Sequence, residues 1–212
     1  GQRLKPYTNN CPKPLLKVRG KPMLQHIIER AKKQGFKNFL ISIKYLGKMI
    51  QDYFLDGSLL GVKINYIYEK KKLGTAGSLA YLKKKNLNAI IVTNGDVISE
   101  INYSKMLNFH NKNKSDFTLA VFPYQTQNPY GIVVTNDLNV VKIKEKPITQ
   151  NNINAGVYIL SNKICSLIKY NQKIDMTQLI KKVKKRNLKV MAYALHEDWS
   201  DVGRIDDYKK IK

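Results

Sequence analysis

The stretch Ala89-Ile90-Ile91-Val92-Thr93-Asn94-Gly95-Asp96 constrains this chain more than any other. A short, β-branched apolar run is followed at once by a turn and a carboxylate. That pattern reads as a buried strand of an open α/β sheet, with Asp96 delivered at its carboxyl end. Ligand crevices of such sheets lie outside the carboxyl ends of the strands. An acid there can hold a divalent cation against phosphate oxygens, an arrangement Mg²⁺ favours over an all-protein cage. Asn-Gly-Asp is also an ordinary turn sequence, so the rest of the chain has to decide between the two readings.

The flanking segments alternate strand and helix. Pro22 opens a helix, and Met23, Leu24, Ile27, Ile28 and Ala31 form its apolar stripe, with Gly35 as the stop. Residues 39–43 read as a strand and residues 48–54 as a short helix. Val62, Ile64, Tyr66 and Tyr68 alternate as another strand, and a helix is expected over residues 103–112. This repeated β-α pattern implies a largely parallel sheet with right-handed crossovers. From Phe117 onward strands dominate, over 117–122, 131–134, 140–143 and 153–160, which predicts an appended antiparallel portion. Helices over 162–170 and 176–186, a strand over 188–194 and a short closing helix complete the expected order. His26, Glu29 and His110 have no partner spacing and read as ordinary polar residues.

Composition bounds the function. At 212 residues, 43% hydrophobic, the chain is sized for one domain with a real core and carries no apolar run long enough for a membrane span. Cys11 and Cys165 have no metal or disulfide spacing, which fits a reducing, cytoplasmic setting. The net charge of +23 favours a polyanionic partner. The lysine blocks at 70–72, 83–85 and 181–186 nevertheless read as solvated faces. In the last block Leu179, Ile180 and Val183 keep helical spacing, and no aromatic residues interleave the lysines as base-stacking platforms would. No nucleic-acid partner and no membrane partner is therefore expected.

Two further segments suit phosphate. Lys13 lies between Pro12 and Pro14, which stiffen the backbone and favour extended geometry. Gly74-Thr75-Ala76-Gly77 follows a strand and opens a helix, where small residues admit a ligand to backbone amides.

Taken in order, the motifs resemble the sugar-1-phosphate nucleotidylyltransferases. The matching pieces are Gly1-Gln2-Arg3-Leu4-Lys5-Pro6, Pro12-Lys13-Pro14-Leu15-Leu16, Gly74-Thr75-Ala76-Gly77, Asn94-Gly95-Asp96, Pro129-Tyr130-Gly131, Glu145-Lys146-Pro147, Asn154-Ala155-Gly156 and Trp199-Ser200-Asp201-Val202-Gly203-Arg204. Any one is cheap; eight in order, spanning the whole chain, are not. The resemblance implies a Rossmann-like nucleotidyltransferase fold: one catalytic domain over residues 1–212, a mostly parallel central sheet flanked by helices, and a small antiparallel portion. It also implies that a first strand and the upstream half of a glycine-rich loop precede Gly1. Gln2 stands where the family often has threonine.

By the same resemblance, Gly1, Gln2, Glu69, Gly74, Thr75, Asn94 and Gly95 fall on the nucleotide side. Arg3 and Lys13 would hold its phosphates, and Asp96 and Asp201 would share the catalytic Mg²⁺. Gly131, Glu145, Asn154 and Gly156 fall around the sugar, with Lys146 on the sugar phosphate. The implied partners are a nucleoside triphosphate, GTP favoured, and a sugar 1-phosphate. A bacterial subgroup serving surface glycans resembles the blocks at 52–58 and 154–158; its members often carry regulatory CBS domains upstream, and a homo-oligomer is compatible with it. Two rivals stay in view: a non-catalytic sugar-nucleotide sensor, and a cytidylyltransferase acting on choline phosphate or an acidic sugar.

Overall fold

The computed structural model describes residues 4–85, 87–202, 205, 208 and 209, with Asp201 described by its backbone alone. In chain order the elements are β1 (Lys17–Val18), β2 (Lys21–Pro22), α1 (Met23–Lys33), β3 (Asn38–Ile43), α2 (Gly47–Phe54) and β4 (Lys63–Tyr68). There follow β5 (Ala89–Thr93), β6 (Val97–Ser99), α3 (Tyr103–Lys112), β7 (Phe117–Gln127), β8 (Ile132–Asn136) and β9 (Asn139–Lys144). The last are β10 (Ile148–Ser161), α4 (Met176–Lys185), β11 (Val190–Ala194) and β12 (Trp199–Asp201). Most of the expected closing helix lies outside the described residues.

Helix α1 shows how local sequence can suffice for a helix. Met23, Leu24, Ile27, Ile28 and Ala31 are all buried, as the 3.6-residue spacing requires. Its end is fixed at Gly35, whose φ of +91° suits a residue without Cβ, while Phe36 N–H donates to Ala31 O at 3.1 Å. Helix α4 likewise buries Leu179 and Val183 and leaves Lys181, Lys184 and Lys185 in solvent. Two expected helices are instead short 3₁₀ turns, Gly77–Leu82 and Asn162–Leu167. Both pack into one apolar cluster, and 3₁₀ geometry is usual in such short pieces.

The class is α/β, and the central sheet is mixed. Its order is β11-β7-β10-β5, with β11 parallel to β7, and β10 antiparallel to both β7 and β5. The antiparallel share is thus larger than expected and runs through the middle of the sheet. Strands β3 and β4 form a separate parallel pair. Strand β10 separates two apolar layers by its period of two: Tyr158 and Leu160 join a cluster with Leu79, Phe117, Leu179 and Val183, while Val157 and Ile159 join one with Tyr103, Met106, Ala120 and Leu195. With both faces covered, the strand reads in sequence as a continuous apolar run. A third cluster joins α1, α2, β3 and β4 through Ile27, Ile28, Ile43, Ile50, Phe54 and Ile64.

One region breaks this pattern. Beyond Phe122 the strands β7 and β10 run on together, pairing Gln127 with Ile148, and lead into the β8–β9 hairpin. Every residue of β8 and β9 is exposed. The unit is an arm standing off the body.

Candidate active site

The expected site residues fall into three groups, and the first surrounds the end of β5. Asp96 follows that strand through Asn94 and Gly95. Its carboxylate forms an ion pair with the Lys13 ammonium, 83 residues earlier in the chain, with both side chains mostly buried. Lys13 occupies a short 3₁₀ turn, Lys13–Leu15, rather than an extended segment. Leu15 N–H donates to Pro12 O at 2.8 Å and closes the turn, while buried Leu16 anchors its far side. Gly95 lies beside the same segment: a Cβ there would stand 3.5 Å from Pro14 Cγ, an ordinary packing distance.

Asp201 enters by strand pairing. Strand β12 lies antiparallel to β6 with Asp201 opposite Val97, the residue after Asp96, and Val202 N–H reaches Asp96 O at 3.4 Å. The backbone of Asp201 is therefore set beside the turn that carries Asp96, 105 residues earlier in the chain. Carboxylates carried at two such positions would suit a hard divalent cation that keeps most of its water or phosphate ligands. Among the described residues no cluster of three or more histidine, cysteine or acidic groups has the geometry of a closed metal cage.

The segment 154–156 closes the same group. Asn94 N–H donates to Gly156 O at 2.9 Å, and Gly156 N–H donates to Asn154 Oδ1 at 3.1 Å. Gly156 has φ +74°, and a Cβ on it would stand 2.8 Å from Asn94 Nδ2. Only glycine meets both conditions. The irregularity in β10 between Asn154 and Tyr158 lies here too, and bulges are often found where a sheet borders a site. Sequence reading missed the supports of this segment. Asn154 Nδ2 donates to the Tyr158 hydroxyl at 2.8 Å, and Trp199 Nε1 donates to Ala155 O at 2.9 Å. Trp199 also stacks on Phe122, with ring centroids 5.2 Å apart. An indole N–H has no use but donation, so the lone tryptophan was the available signal. Behind β5 lies buried Tyr103, whose phenol is pushed up to about 12 by burial.

The second group is the loop after β4. Glu69 accepts from Ser42 Oγ at 2.7 Å and from Leu73 N–H at 3.0 Å, so both its oxygens order the loop. Gly74 has φ +76°, and a Cβ there would meet Ile174 O at 2.5 Å and Asp175 Oδ1 at 2.7 Å. Thr75 N–H donates to Asp175 Oδ1 at 3.0 Å, Ala76 N–H to Ile174 O at 3.0 Å, and Thr75 Oγ1 accepts from Met176 N–H at 2.8 Å. The small residues are thus required by the close approach of residues 174–176, and the amides of Thr75 and Ala76 are already engaged. Asp175 is the residue the sequence analysis missed. Its cue was the Asp175-to-Gln178 capping spacing at the start of α4.

The third group lies at the root of the arm. A Cβ on Gly131 would stand 2.9 Å from Glu145 Oε2, so these two adjoin. Lys146 has φ +40°, an uncommon conformation for a non-glycine residue and one that invites a functional reading. All three are exposed. Gly1, Gln2, Arg3, Gly203 and Arg204 lie outside the described residues.

Comparison with known proteins gives the family. The nucleotidyl transferase family model matches residues 1–212, and the chain belongs to that family. It is 34% identical to a D-glycero-alpha-D-manno-heptose 1-phosphate guanylyltransferase of Aneurinibacillus thermoaerophilus, over all of this chain and 93% of the relative. It is 30% identical to a mannose-1-phosphate guanylyltransferase of Mycobacterium tuberculosis, over 98% of this chain but only 60% of that relative. The crystal structure of HddC from Yersinia pseudotuberculosis superposes with a TM-score of 0.76 at 27% identity, covering 99% of this chain and 92% of that one. A second structure of HddC, complexed with GMP-PN, gives a TM-score of 0.74.

Proposed function

We propose that this enzyme transfers a guanylyl group from GTP to a sugar 1-phosphate of the mannose or manno-heptose type, releasing pyrophosphate. The observation that carries the reading is the Lys13–Asp96 pair at the end of β5, with Asp201 set on the neighbouring strand. The guanylyltransferase relatives and the GMP-PN complex support the choice of base and sugar.

The chemistry requires two anions to meet. A phosphate oxygen of the sugar 1-phosphate attacks the α-phosphorus; that P–O bond forms as the α–β P–O bond breaks, and the electron pair leaves with pyrophosphate. The nucleophile is already ionised, so no general base is required, and positioning with charge stabilisation dominates. Lys146 neutralises the incoming sugar phosphate. Lys13 exchanges Asp96 for a phosphate oxygen when the nucleotide enters, which frees the carboxylate. Mg²⁺ held by Asp96 and Asp201 would withdraw charge from the α-phosphate. Glu145 accepts hydrogen bonds from sugar hydroxyls beside Gly131, and Asn154 and Gly156 wall the pocket from the body side. Arg3 holds the departing pyrophosphate. Among the described residues no helix is long and apolar enough to cross a membrane; we place the reaction in the cytoplasm, supplying activated sugar for surface glycans.

A pyrophosphate-release screen tests this, crossing the common nucleoside triphosphates with a panel of sugar 1-phosphates in Mg²⁺. Release that depends on GTP and one manno-configured sugar phosphate, and disappears in Asp96→Asn, is the expected result. Nucleotide binding by calorimetry without turnover on any sugar phosphate would overturn it in favour of a sensor. Inversion of configuration at a chirally labelled α-phosphorus is expected, and retention would overturn the direct displacement.

A further inference from the structure

In sequence, Gly74-Thr75-Ala76-Gly77 reads as a place where a phosphate meets backbone amides, yet the protein's own groups already fill it. Asp175, the N-cap of α4, lies 100 residues beyond Thr75, and its Oδ1 accepts from Thr75 N–H at 3.0 Å. Ala76 N–H donates to Ile174 O at 3.0 Å, Ile174 N–H to Leu73 O at 2.9 Å, and Met176 N–H to Thr75 Oγ1 at 2.8 Å. Gly74 and Gly77 permit this approach. A Cβ on the first would stand 2.7 Å from Asp175 Oδ1, and one on the second 2.5 Å from Gln172 O. The loop is thus tied at both ends. Glu69 holds Leu73 N–H from the loop's own strand at 3.0 Å, and Asp175 holds Thr75 from a helix whose Leu179 and Val183 lie in the core.

We propose that Asp175 is the positioning residue of this loop, holding residues 73–76 in the shape that receives the base of the nucleotide. The proposal rests on the nucleotide reading given above and adds to it the residue that sets the loop. Charge decides that the loop faces the base and not the phosphates. A carboxylate repels a triphosphate, and the chain carries 38 basic residues against 15 acidic, so an acid at this turn departs from its prevailing charge. A base offers a neutral carbonyl, and Gly74 N–H, which donates to no group among the described residues, is free to meet one. An N-cap carboxylate serves its helix in any protein. Here the same side chain also holds a distant loop, a contact the helix does not require.

Calorimetric titration with GTP, beside steady-state kinetics, separates the two contacts. Asp175→Asn keeps an acceptor of the same reach and should match the wild type. Asp175→Ser still caps a helix but is too short to reach Thr75 N–H. It should keep the melting temperature, weaken GTP binding and raise KM for GTP about five- to tenfold, and leave kcat and KM for the sugar phosphate unchanged. Gln178→Ala removes the side chain that accepts from Asp175 N–H at 2.9 Å and should do the converse, lowering the melting temperature at unaltered GTP affinity. Wild-type GTP affinity in Asp175→Ser, or a loss shared equally by Gln178→Ala, overturns this proposal alone. A wild type that binds no nucleoside triphosphate overturns the nucleotide reading as well.

Discussion

The residues around the end of β5 and those at the root of the arm are expected to meet the same substrates, yet they are held in opposite ways. Around β5, the groups are tied to one another by hydrogen bonds and an ion pair. Gly156 is bonded to Asn94 and Asn154, Ala155 to Trp199, and Asp96 to Lys13. At the arm, Gly131, Glu145 and Lys146 are exposed and adjoin chiefly one another. Rigid support on the side of the bond-breaking and freedom on the side of the sugar is a workable division. Charge stabilisation needs donors already in place, whereas admitting and releasing a sugar favours a part that moves.

The strongest way to break this comparison is at its chemical centre. Asp96→Asn should lower kcat by about 10³-fold, the scale on which removing one electrostatic contributor acts, with little change in melting temperature. A loss of stability instead would mean that the Lys13–Asp96 pair serves the fold. Lys146→Ala should reduce kcat/KM by about 10²-fold and leave thermal unfolding unaltered, because the side chain is exposed. Unchanged steady-state kinetics would remove the arm from the site.

Two glycines sharpen the contrast. Gly156→Ala places a Cβ at φ +74° and 2.8 Å from Asn94 Nδ2, and should destabilise by about 1–3 kcal/mol, visible as a lower melting temperature. Gly131→Ala meets only the mobile end of Glu145. It should leave stability unchanged and raise KM for the sugar phosphate severalfold, and equal melting-temperature losses in the two variants would erase the distinction.

The smallest effect is a pH dependence belonging to the body alone. His110 is buried, with Nδ1 2.8 Å from the buried Thr118 hydroxyl; burial lowers its pKa, opposed by the nearby Asp116 carboxylate. The unfolded chain therefore binds the proton more readily than the native one. Stability should be fully present above the ordinary histidine range and fall as pH drops through about 6.5 toward the lowered native value. His110→Gln should flatten the melting temperature between neutral and mildly acidic pH. An unchanged slope would exclude His110 as its source.

Local sequence carried the elements whose reasons are local. The stripe of α1 and the positive-φ glycine that ends it follow from spacing and backbone chemistry and stand in the structure; the apolar run of β5 is a strand as expected, but half-buried at the edge of its four-stranded sheet rather than fully buried. The same legibility extended to the site as a list of residues, because motifs in order need no contacts to be recognised. It failed where a residue's role depends on a distant partner. Gly74 read as an opening for a ligand, whereas residues 174–176, a hundred positions later, are what require it to be glycine. The segment 162–170 read as a helix, whereas residues 162–167 form a 3₁₀ turn, because periodicity does not distinguish a buried 3₁₀ turn from one more helical turn.

By itself, then, the sequence determined the α/β class, the placement of Asp96 at a strand end and membership in a nucleotidyl-transferring family. Only the tertiary structure decided that Lys13 pairs with Asp96, that β12 carries Asp201 to β6, and that β8 and β9 stand away from the core. The reason is physical. Periodicity reports which side of an element is apolar, but register and the choice of neighbouring strand are settled by contacts between residues far apart in the chain.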